Sequence, residues 1–301
     1  MTDTLVPVVL TTGVTLQVHD VGPKDAPALV FLHGFPESWR TWRHQYGALS
    51  DRYRCIAPDQ RGYGGSSKPA EVDAYAPQVL AADVFALADA LGIDRFTVIG
   101  HDWGGVVAWI VATVGQFNGR VTSAVIANAP HPALFQQRIL ADPGQRAASQ
   151  YIRLFRDTAY DAQTRRDGLG PLLRQAFPGG NAFAGLEPDE LAFLMGRWQD
   201  GDAARAMLNW YRASPVVVPA LDEPNASPAE SAPGLPPLAL PTLVLWGEDD
   251  SALPPGNLDG LAAVAPGARI ERLPGVGHFS PWQAPDAVTA ALSAFLDPVL
   301  H

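Results

Sequence analysis

One short segment, Gly100-His101-Asp102-Trp103-Gly104, places a carboxylate where a reactive side chain is expected. An apolar, β-rich run precedes it, and a helical run of small and apolar residues follows it. This layout is typical of a nucleophile elbow, a tight strand-to-helix turn that presents one side chain above a sheet. Gly100 and Gly104 stand two residues either side of Asp102, where a Cβ atom would clash in a strained turn.

Asp102 decides which reaction such a turn supports. A carboxylate is a poor nucleophile towards a carbonyl group, but it displaces a leaving group at a saturated carbon and forms an alkyl ester on the protein. Water then hydrolyses that ester at its carbonyl carbon. The sequence therefore predicts a substrate with an electrophilic sp³ carbon, such as an epoxide or a carbon–halogen bond. The structural alternative is that Asp102 caps the helix that begins near Trp103.

Two further residues complete a candidate catalytic set, because each follows a predicted strand. Asp250 comes after the run 242–246, and His278 comes after the run 268–273. Ligands of parallel sheets bind beyond the carboxyl ends of the strands, so these side chains are expected to converge with Asp102. Taken singly, His278 is equally well a packed loop histidine and Asp250 a turn residue. The neighbouring Asp249 is the rival for the acidic role.

The elements that would position these residues alternate between strand and helix along most of the chain. This alternation predicts an α/β fold with a mostly parallel sheet covered by helices on both faces. The predicted strands are 6–10, 14–19, 28–33, 54–58, 96–99, 121–127, 242–246 and 268–273, and the predicted core helices are 39–49, 80–91 and 286–296. The first two strands are expected to form a hairpin at the edge of the sheet.

The alternation stops after Pro132, which predicts an insertion. Residues 133–213 show helical patterns with scattered apolar residues, and we expect them to form a helical cap over the core. Residues 214–241 are rich in Pro, Ala and Ser and predict a long surface connection. The core is then expected to consist of residues 1–132 and 242–301.

The composition of the chain limits which partners and which cellular compartment are expected. The 301 residues carry a net charge of −10, with an isoelectric point near 5.0, which argues against a nucleic-acid or anionic-membrane partner. Cys55 is the only cysteine, and the start of the chain resembles no secretory signal, so a cytoplasmic location is expected. The loop 59–66 is rich in glycine but lacks a phosphate-binding motif. We expect no metal, no cofactor, and a monomer or homodimer.

Four stretches together resemble the epoxide hydrolase branch of the α/β-hydrolases, which is close to the haloalkane dehalogenases. They are His33-Gly34-Phe35-Pro36-Glu37-Ser38, Asp59-Gln60-Arg61-Gly62-Tyr63-Gly64-Gly65-Ser66, Gly100-His101-Asp102-Trp103-Gly104-Gly105 and Gly277-His278-Phe279. The resemblance covers the core from end to end. It implies an eight-stranded, mostly parallel sheet with an inserted helical cap. It also implies hydrolysis of a small apolar epoxide by water to a vicinal diol, without a metal or an organic cofactor.

The resemblance also implies a role for individual residues. Asp250 is preferred over Asp249 because it matches the last acidic residue of the family's Gly-Glu-x-Asp turn. A cis peptide bond is expected before Pro36. The implied nucleophile, base, acidic partner of the base and oxyanion-hole N–H donors are Asp102, His278, Asp250 and the backbones of Phe35 and Trp103.

Two cap tyrosines that bind the epoxide oxygen are a further feature that the resemblance implies. Tyr211, in Asn209-Trp210-Tyr211-Arg212, matches the segment that carries one of them. Tyr151 fits the family's Tyr-x-x-x-Phe spacing for the other. The family often continues with Gln-x-Pro-Gly, whereas this chain runs Arg156-Asp157-Thr158-Ala159, which leaves Tyr160 as a competitor.

Two other functions remain open from the sequence. A haloalkane dehalogenase would use Asp102 in the same way and would hold halide with the indole N–H of Trp103. It needs a second halide donor, and the side chain of Phe35 offers none. A small-molecule receptor without catalytic activity on the same scaffold is the alternative from another class.

Overall fold

Eight strands pair into one sheet in the computed structural model, which describes residues 4–178, 183, 185–224 and 236–300. The strands are β1 (Val6–Val9), β2 (Thr15–Val21), β3 (Ala28–Leu32), β4 (Arg54–Asp59), β5 (Phe96–His101), β6 (Val121–Ala127), β7 (Thr242–Gly247) and β8 (Ala268–Leu273). Their order is β1-β2-β4-β3-β5-β6-β7-β8. The pairs β1–β2 and β2–β4 are antiparallel, and all others are parallel. The predicted fold class and the edge hairpin are confirmed.

The sheet separates two apolar layers because successive side chains of a strand point to opposite faces. In β3, Leu29 and Phe31 pack into one layer, whereas Val30 and Leu32 pack into the other. All five residues of this strand are buried, as expected for a strand covered on both faces. The continuous apolar run that predicted β3 therefore reflects its position inside the sheet.

The helices cover both faces and also form the segment between β6 and β7. The core helices are α1 (Arg43–Leu49), α2 (Pro77–Ala90), α3 (Trp103–Asn118), α11 (Leu261–Val264), α12 (Ser280–Gln283) and α13 (Pro285–Leu300). Between β6 and β7 lie α4 (Pro132–Ala141), α5 (Pro143–Ala148), α6 (Gln150–Arg156), α7 (Asp161–Asp167), α8 (Gly170–Ala176), α9 (Pro188–Trp198) and α10 (Gly201–Ala213). No helix in the described part of the chain combines the length and the apolarity that a bilayer span requires.

The bounds of all three predicted core helices differ from those in the structure, and α13 runs over Pro285–Leu300 rather than 286–296. The predicted helix 39–49 starts as a 3₁₀ turn, Trp39–Trp42, before α1 begins, since tighter turns are common at helix starts. The helix predicted from residue 80 begins at Pro77, which fits the first helical position because its missing N–H is not needed there. Of the predicted connection 214–241, residues 225–235 lie outside the described residues.

A buried ion pair joins α2 to the glycine-rich loop after β4. The Arg61 guanidinium donates to both carboxylate oxygens of Asp83, each at 2.8 Å. The two side chains are 5% and 6% exposed. Because neither charge reaches water, removal of one partner leaves the other buried and unpaired.

We expect Asp83→Ala to lower the free energy of unfolding by about 3–5 kcal/mol, since it leaves the Arg61 guanidinium without its buried partner. Urea denaturation measures this change. The matched control is Asp89→Ala, which removes the partner of Arg120 at a carboxylate that is 56% exposed. An exposed pair contributes about 0–1 kcal/mol. Equal losses in the two variants would contradict the prediction.

Candidate active site

The carboxyl ends of five neighbouring strands bring the candidate residues to one edge of the sheet. In spatial order, β3, β5, β6, β7 and β8 are adjacent. The residues that follow these strands at the site are Phe35, Asp102, Asn128, Asp250 and His278. Their convergence therefore follows from strand order, although the sequence separates them widely.

Asp102 occupies the turn between β5 and α3 in a strained conformation. Its φ is 49° and its ψ is −122°, in a region that a residue with a side chain rarely adopts. Close packing around the turn excludes larger residues. A Cβ atom on Gly104 would lie 2.3 Å from the carbonyl oxygen of Leu32. The predicted strand–turn–helix is present, and position 104 requires glycine because a side chain would clash there.

The carboxylate of Asp102 does not cap α3. Its side chain makes no capping hydrogen bond, although the residue stands at the position before the helix. Instead, Oδ1 accepts a hydrogen bond from the backbone N–H of Phe35 at 2.7 Å. The capping interpretation of this side chain is therefore wrong.

His278 lies between two carboxylates. Its Nδ1 is 2.7 Å from Oδ2 of Asp250, and its Nε2 is 3.5 Å from Oδ2 of Asp102. Oδ1 of Asp250 accepts the backbone N–H groups of Ala252 and Leu253 at 3.0 and 2.8 Å. The buried residue is Asp250, whereas the side chain of Asp249 is exposed. The structure thus brings Asp250, and not its neighbour, to the imidazole.

Asn128 is a buried contributor that the sequence interpretation missed. Its Nδ2 donates to Oδ2 of Asp250 at 2.9 Å, and its Oδ1 accepts the N–H of Gly247 at 3.2 Å. The backbone φ of Asn128 is 44°, a left-handed value that Asn tolerates better than most residues. The position of Asn128 directly after β6, at the same sheet edge as the other candidates, was the available signal.

The charges of this set shift two pKa values in opposite directions. Burial alone lowers the pKa of His278, but the carboxylates of Asp250 and Asp102 outweigh burial and hold that pKa well above the usual histidine value. Burial alone raises the pKa of Asp102, but hydrogen bonding to His278 and its charge outweigh burial and lower that pKa. Both shifts favour the charged forms of His278 and Asp102.

The loop after β3 supplies one backbone donor to the elbow, the N–H of Phe35. The peptide bond between Phe35 and Pro36 is cis, as expected from the resemblance. Gly34 lies against Asp102, so that a Cβ atom on Gly34 would be 2.5 Å from the Cβ of Asp102. The N–H of Trp103 lies in the first turn of α3, where N–H groups have no acceptor within the helix. Phe35 and Trp103 thus both flank the carboxylate of Asp102.

Glu37 of this loop and His101 form a second buried acid–histidine pair, which the sequence interpretation did not include. Nδ1 of His101 is 2.8 Å from Oε1 of Glu37, and both side chains are fully buried. Nε2 of His101 is 2.8 Å from the carbonyl oxygen of His278. Oε2 of Glu37 accepts the N–H of Gly34 at 2.5 Å. This pair therefore connects the loop that contacts Asp102 with the backbone of His278.

Two tyrosines from the helices between β6 and β7 lie over the elbow. The ring of Tyr211 in α10 is 4.9 Å from Phe35 and 5.2 Å from Trp103. The ring of Tyr151 in α6 is 6.1 Å from that of Tyr211. Burial, with a further contribution from Asp102, raises the pKa of both tyrosines, so both hydroxyl groups stay protonated as donors.

Tyr160 does not join these residues. Its hydroxyl oxygen accepts a hydrogen bond from Nε2 of Gln175 at 2.9 Å, at an exposed position. The structure therefore brings Tyr151 to the site, whereas the hydroxyl of the half-buried Tyr160 forms its hydrogen bond at an exposed position. Among the residues that the structure describes, no group of three His, Cys, Asp or Glu side chains is placed to hold a metal ion.

Known proteins resemble this chain over most of its length. Residues 27–285 match the family model described as the alpha/beta hydrolase fold. Epoxide hydrolase A of Mycobacterium tuberculosis is 33% identical over 322 residues, which cover 95% of each chain. Epoxide hydrolase 3 of Xenopus tropicalis is 31% identical, over 94% of this chain and 75% of that protein.

Solved structures agree with these sequence relatives. One from the novel epoxide hydrolases of the alpha/beta hydrolases superfamily, found in metagenomes from hot environments, is 56% identical. It superposes with a TM-score of 0.94 and covers 98% of this chain and 99% of its own. An epoxide hydrolase of Bacillus megaterium, solved in complex with an inhibitor, is 28% identical with a TM-score of 0.83, over 98% and 100% of the two chains.

We expect Asp102→Asn to lower the pKa of His278, because it removes one of the two carboxylates that raise it. Titration of the His278 ring signals by NMR, in the variant and in the unaltered chain, measures the shift. The control is Asp249→Asn, which removes a charge at an exposed position of the same loop and should leave the pKa of His278 in place. An unchanged titration in Asp102→Asn would contradict the prediction.

Proposed function

The chain belongs to the α/β-hydrolases and, within them, to the epoxide hydrolases, and from this premise we propose that it converts a small apolar epoxide and water into a vicinal diol through an ester of Asp102. One observation carries the proposal. The two oxygens of Asp102 have different partners: Oδ1 accepts the Phe35 N–H, whereas Oδ2 faces Nε2 of His278. The backbone donor orients Oδ1, and we assign the attack to Oδ2.

In the first step, Oδ2 of Asp102 attacks a ring carbon of the epoxide, and the carbon–oxygen bond of the ring breaks. The hydroxyl groups of Tyr151 and Tyr211 donate to the oxygen on which negative charge develops. Their raised pKa values support this role, because both are neutral donors beside a carboxylate. The alkoxide finally takes the proton of the His278 imidazolium.

Ester formation turns His278 into a base. The carboxylate of Asp102 loses its charge, so two of the contributions that raise the pKa of His278 disappear. The neutral imidazole then accepts a proton from water. The hydroxide attacks the carbonyl carbon of the ester, and the N–H groups of Phe35 and Trp103 stabilise the oxyanion. Release of the diol restores the carboxylate and the imidazolium.

The other interpretations are less well supported. A dehalogenase needs two halide donors, and the Phe35 side chain packs edge-on against Tyr211 without offering an N–H. A receptor would have no use for an imidazole held between two carboxylates. Assay of diol formation from terminal epoxides beside halide release from chloro- and bromoalkanes separates the three functions.

We further propose a cytoplasmic location, with epoxide and water as the reaction partners. Cys55 is the single cysteine and is buried, which fits a reducing compartment. Size-exclusion chromatography with light scattering decides between the monomer and the homodimer.

We expect His278→Gln to trap the ester, because the variant alkylates Asp102 but lacks the base that activates water. Intact-protein mass spectrometry after incubation with 1,2-epoxyhexane should show the protein mass raised by the mass of one epoxide, since the ester forms by addition. Asp102→Asn should show no adduct and no turnover. Normal diol production by His278→Gln would contradict the mechanism.

We expect Tyr211→Phe and Tyr151→Phe each to slow ester formation by about 10²–10³-fold, the usual effect of losing one donor to a developing oxyanion. Stopped-flow tryptophan fluorescence in single turnovers measures this step. Because formation slows and hydrolysis does not, no ester should accumulate. Tyr160→Phe is the matched control and should retain the rate, as its hydroxyl lies at an exposed position. A loss in Tyr160→Phe with the rate retained in Tyr151→Phe would reverse the assignment, and equal losses would contradict the prediction.

A further inference from the structure

The loop 34–38, whose Phe35 N–H donates to Asp102, also accepts a hydrogen bond from a helix of the segment between β6 and β7. Trp198 is the last residue of α9 and is 6% exposed. Its indole N–H donates to the carbonyl oxygen of Pro36 at 2.7 Å. Pro36 directly follows Phe35, whose N–H donates to Oδ1 of Asp102. Two neighbouring residues of this loop are therefore held by the elbow on one side and by α9 on the other.

The residue next to Trp198 fixes the far side of the same loop. The guanidinium of Arg197 donates twice to Oδ2 of Asp59, at 3.0 and 2.7 Å. Asp59 is fully buried, and its Oδ1 accepts the backbone N–H of Trp39 at 3.1 Å. Trp198 thus contacts the loop 34–38 at Pro36. Arg197 contacts Trp39, the residue after the loop, through the buried carboxylate of Asp59.

Further charges join α9 and the residue before it, Glu187, to the chain after this loop. Arg40 forms an ion pair with Glu190 at 2.9 Å, and Arg43 pairs with Glu187. The guanidinium groups of Arg40 and Arg197 both lie over the ring of Phe193, at 4.6 and 4.7 Å from its centroid. The position of α9 relative to the loop is consequently fixed by several independent contacts.

We propose that Trp198 is a positioning residue for hydrolysis of the ester. By holding the carbonyl oxygen of Pro36, it keeps the Phe35 N–H aimed at the oxygen of Asp102 on which negative charge develops. This inference rests on the proposed ester mechanism. Trp198 itself touches no reacting atom.

The two chemical steps depend on this hydrogen bond to different extents. During ester formation the charge on Asp102 is being lost, so the Phe35 N–H gives the transition state no added stabilisation. The neutral ester oxygen is then a weaker acceptor than the carboxylate was, and the loop depends more on Trp198. During hydrolysis the charge returns to that oxygen, and a displaced N–H is costly. A defect at Trp198 therefore slows the second step and spares the first.

The test is Trp198→Phe, which removes the indole N–H and retains an aromatic ring against Phe183, at present 5.0 Å away. Single turnovers of 1,2-epoxyhexane, followed by rapid quench and intact-protein mass spectrometry, give separate rate constants for ester formation and ester hydrolysis. We expect hydrolysis to slow by about 10–100-fold, less than the loss of an oxyanion donor itself. We expect the rate of ester formation to stay within about twofold, so the esterified fraction rises.

Trp210→Phe is the matched control. Its indole N–H also joins the helical segment to a core carbonyl, that of Arg61 at 2.9 Å, but away from the loop 34–38. We expect this variant to lose thermal stability as Trp198→Phe does, without slowing ester hydrolysis. If hydrolysis slows equally in both variants, or if Trp198→Phe slows both steps together, the role of Trp198 is only structural and the proposal is overturned.

A second substitution protects the test against misfolding. Replacement of Trp198 by benzothienylalanine changes only the ring N–H to sulfur, and the same rise in esterified fraction is expected. His278→Gln separates a failure of the positioning role from a failure of the ester mechanism. If it accumulates ester while both Trp198 variants hydrolyse normally, the positioning role fails alone. If it forms no ester, the ester mechanism and the role of Trp198 fall together.

Discussion

The hydrogen bond from the Phe35 N–H to Oδ1 of Asp102, 2.7 Å long, is the contact around which this site is built. It joins the ends of β3 and β5, which are neighbours in the sheet. The approach is close enough to leave no room for a Cβ atom on Gly34. The backbone of Asp102 is strained where it makes this contact, and Trp198 donates to the next residue of the loop, Pro36.

A single change of charge links the two proposed steps. His278 begins as a cation between two carboxylates and becomes a neutral base only when Asp102 is esterified. Asp250 takes no part in the ester, and Asn128 and two backbone N–H groups donate to its oxygens. A permanent carboxylate on one side of the imidazole and a transient one on the other allow the same ring to donate and then accept a proton.

The sequence predicted the parts of the structure that local patterns determine. The sheet follows from the apolar runs, the elbow at Asp102 follows from the run that ends in Gly100, and the fold class is confirmed. Contacts between distant segments have no such signal: neither Trp198 with Pro36 nor Glu37 with His101 is marked by spacing, because packing between the two parts decides them. Spacing alone also left two tyrosines in competition for the cap, since a helix pattern does not fix which side chains point towards Asp102.

The most direct measurement is the fate of oxygen in a single turnover in H₂¹⁸O with enzyme in excess over epoxide. If the ester of Asp102 forms and water attacks its carbonyl carbon, the oxygen that enters the diol comes from the aspartate. The first-turnover diol should then contain no ¹⁸O, and mass spectrometry of the peptide with Asp102 should show one ¹⁸O. Incorporation of ¹⁸O into the first-turnover diol, with an unlabelled Asp102, would mean that water attacks the epoxide directly.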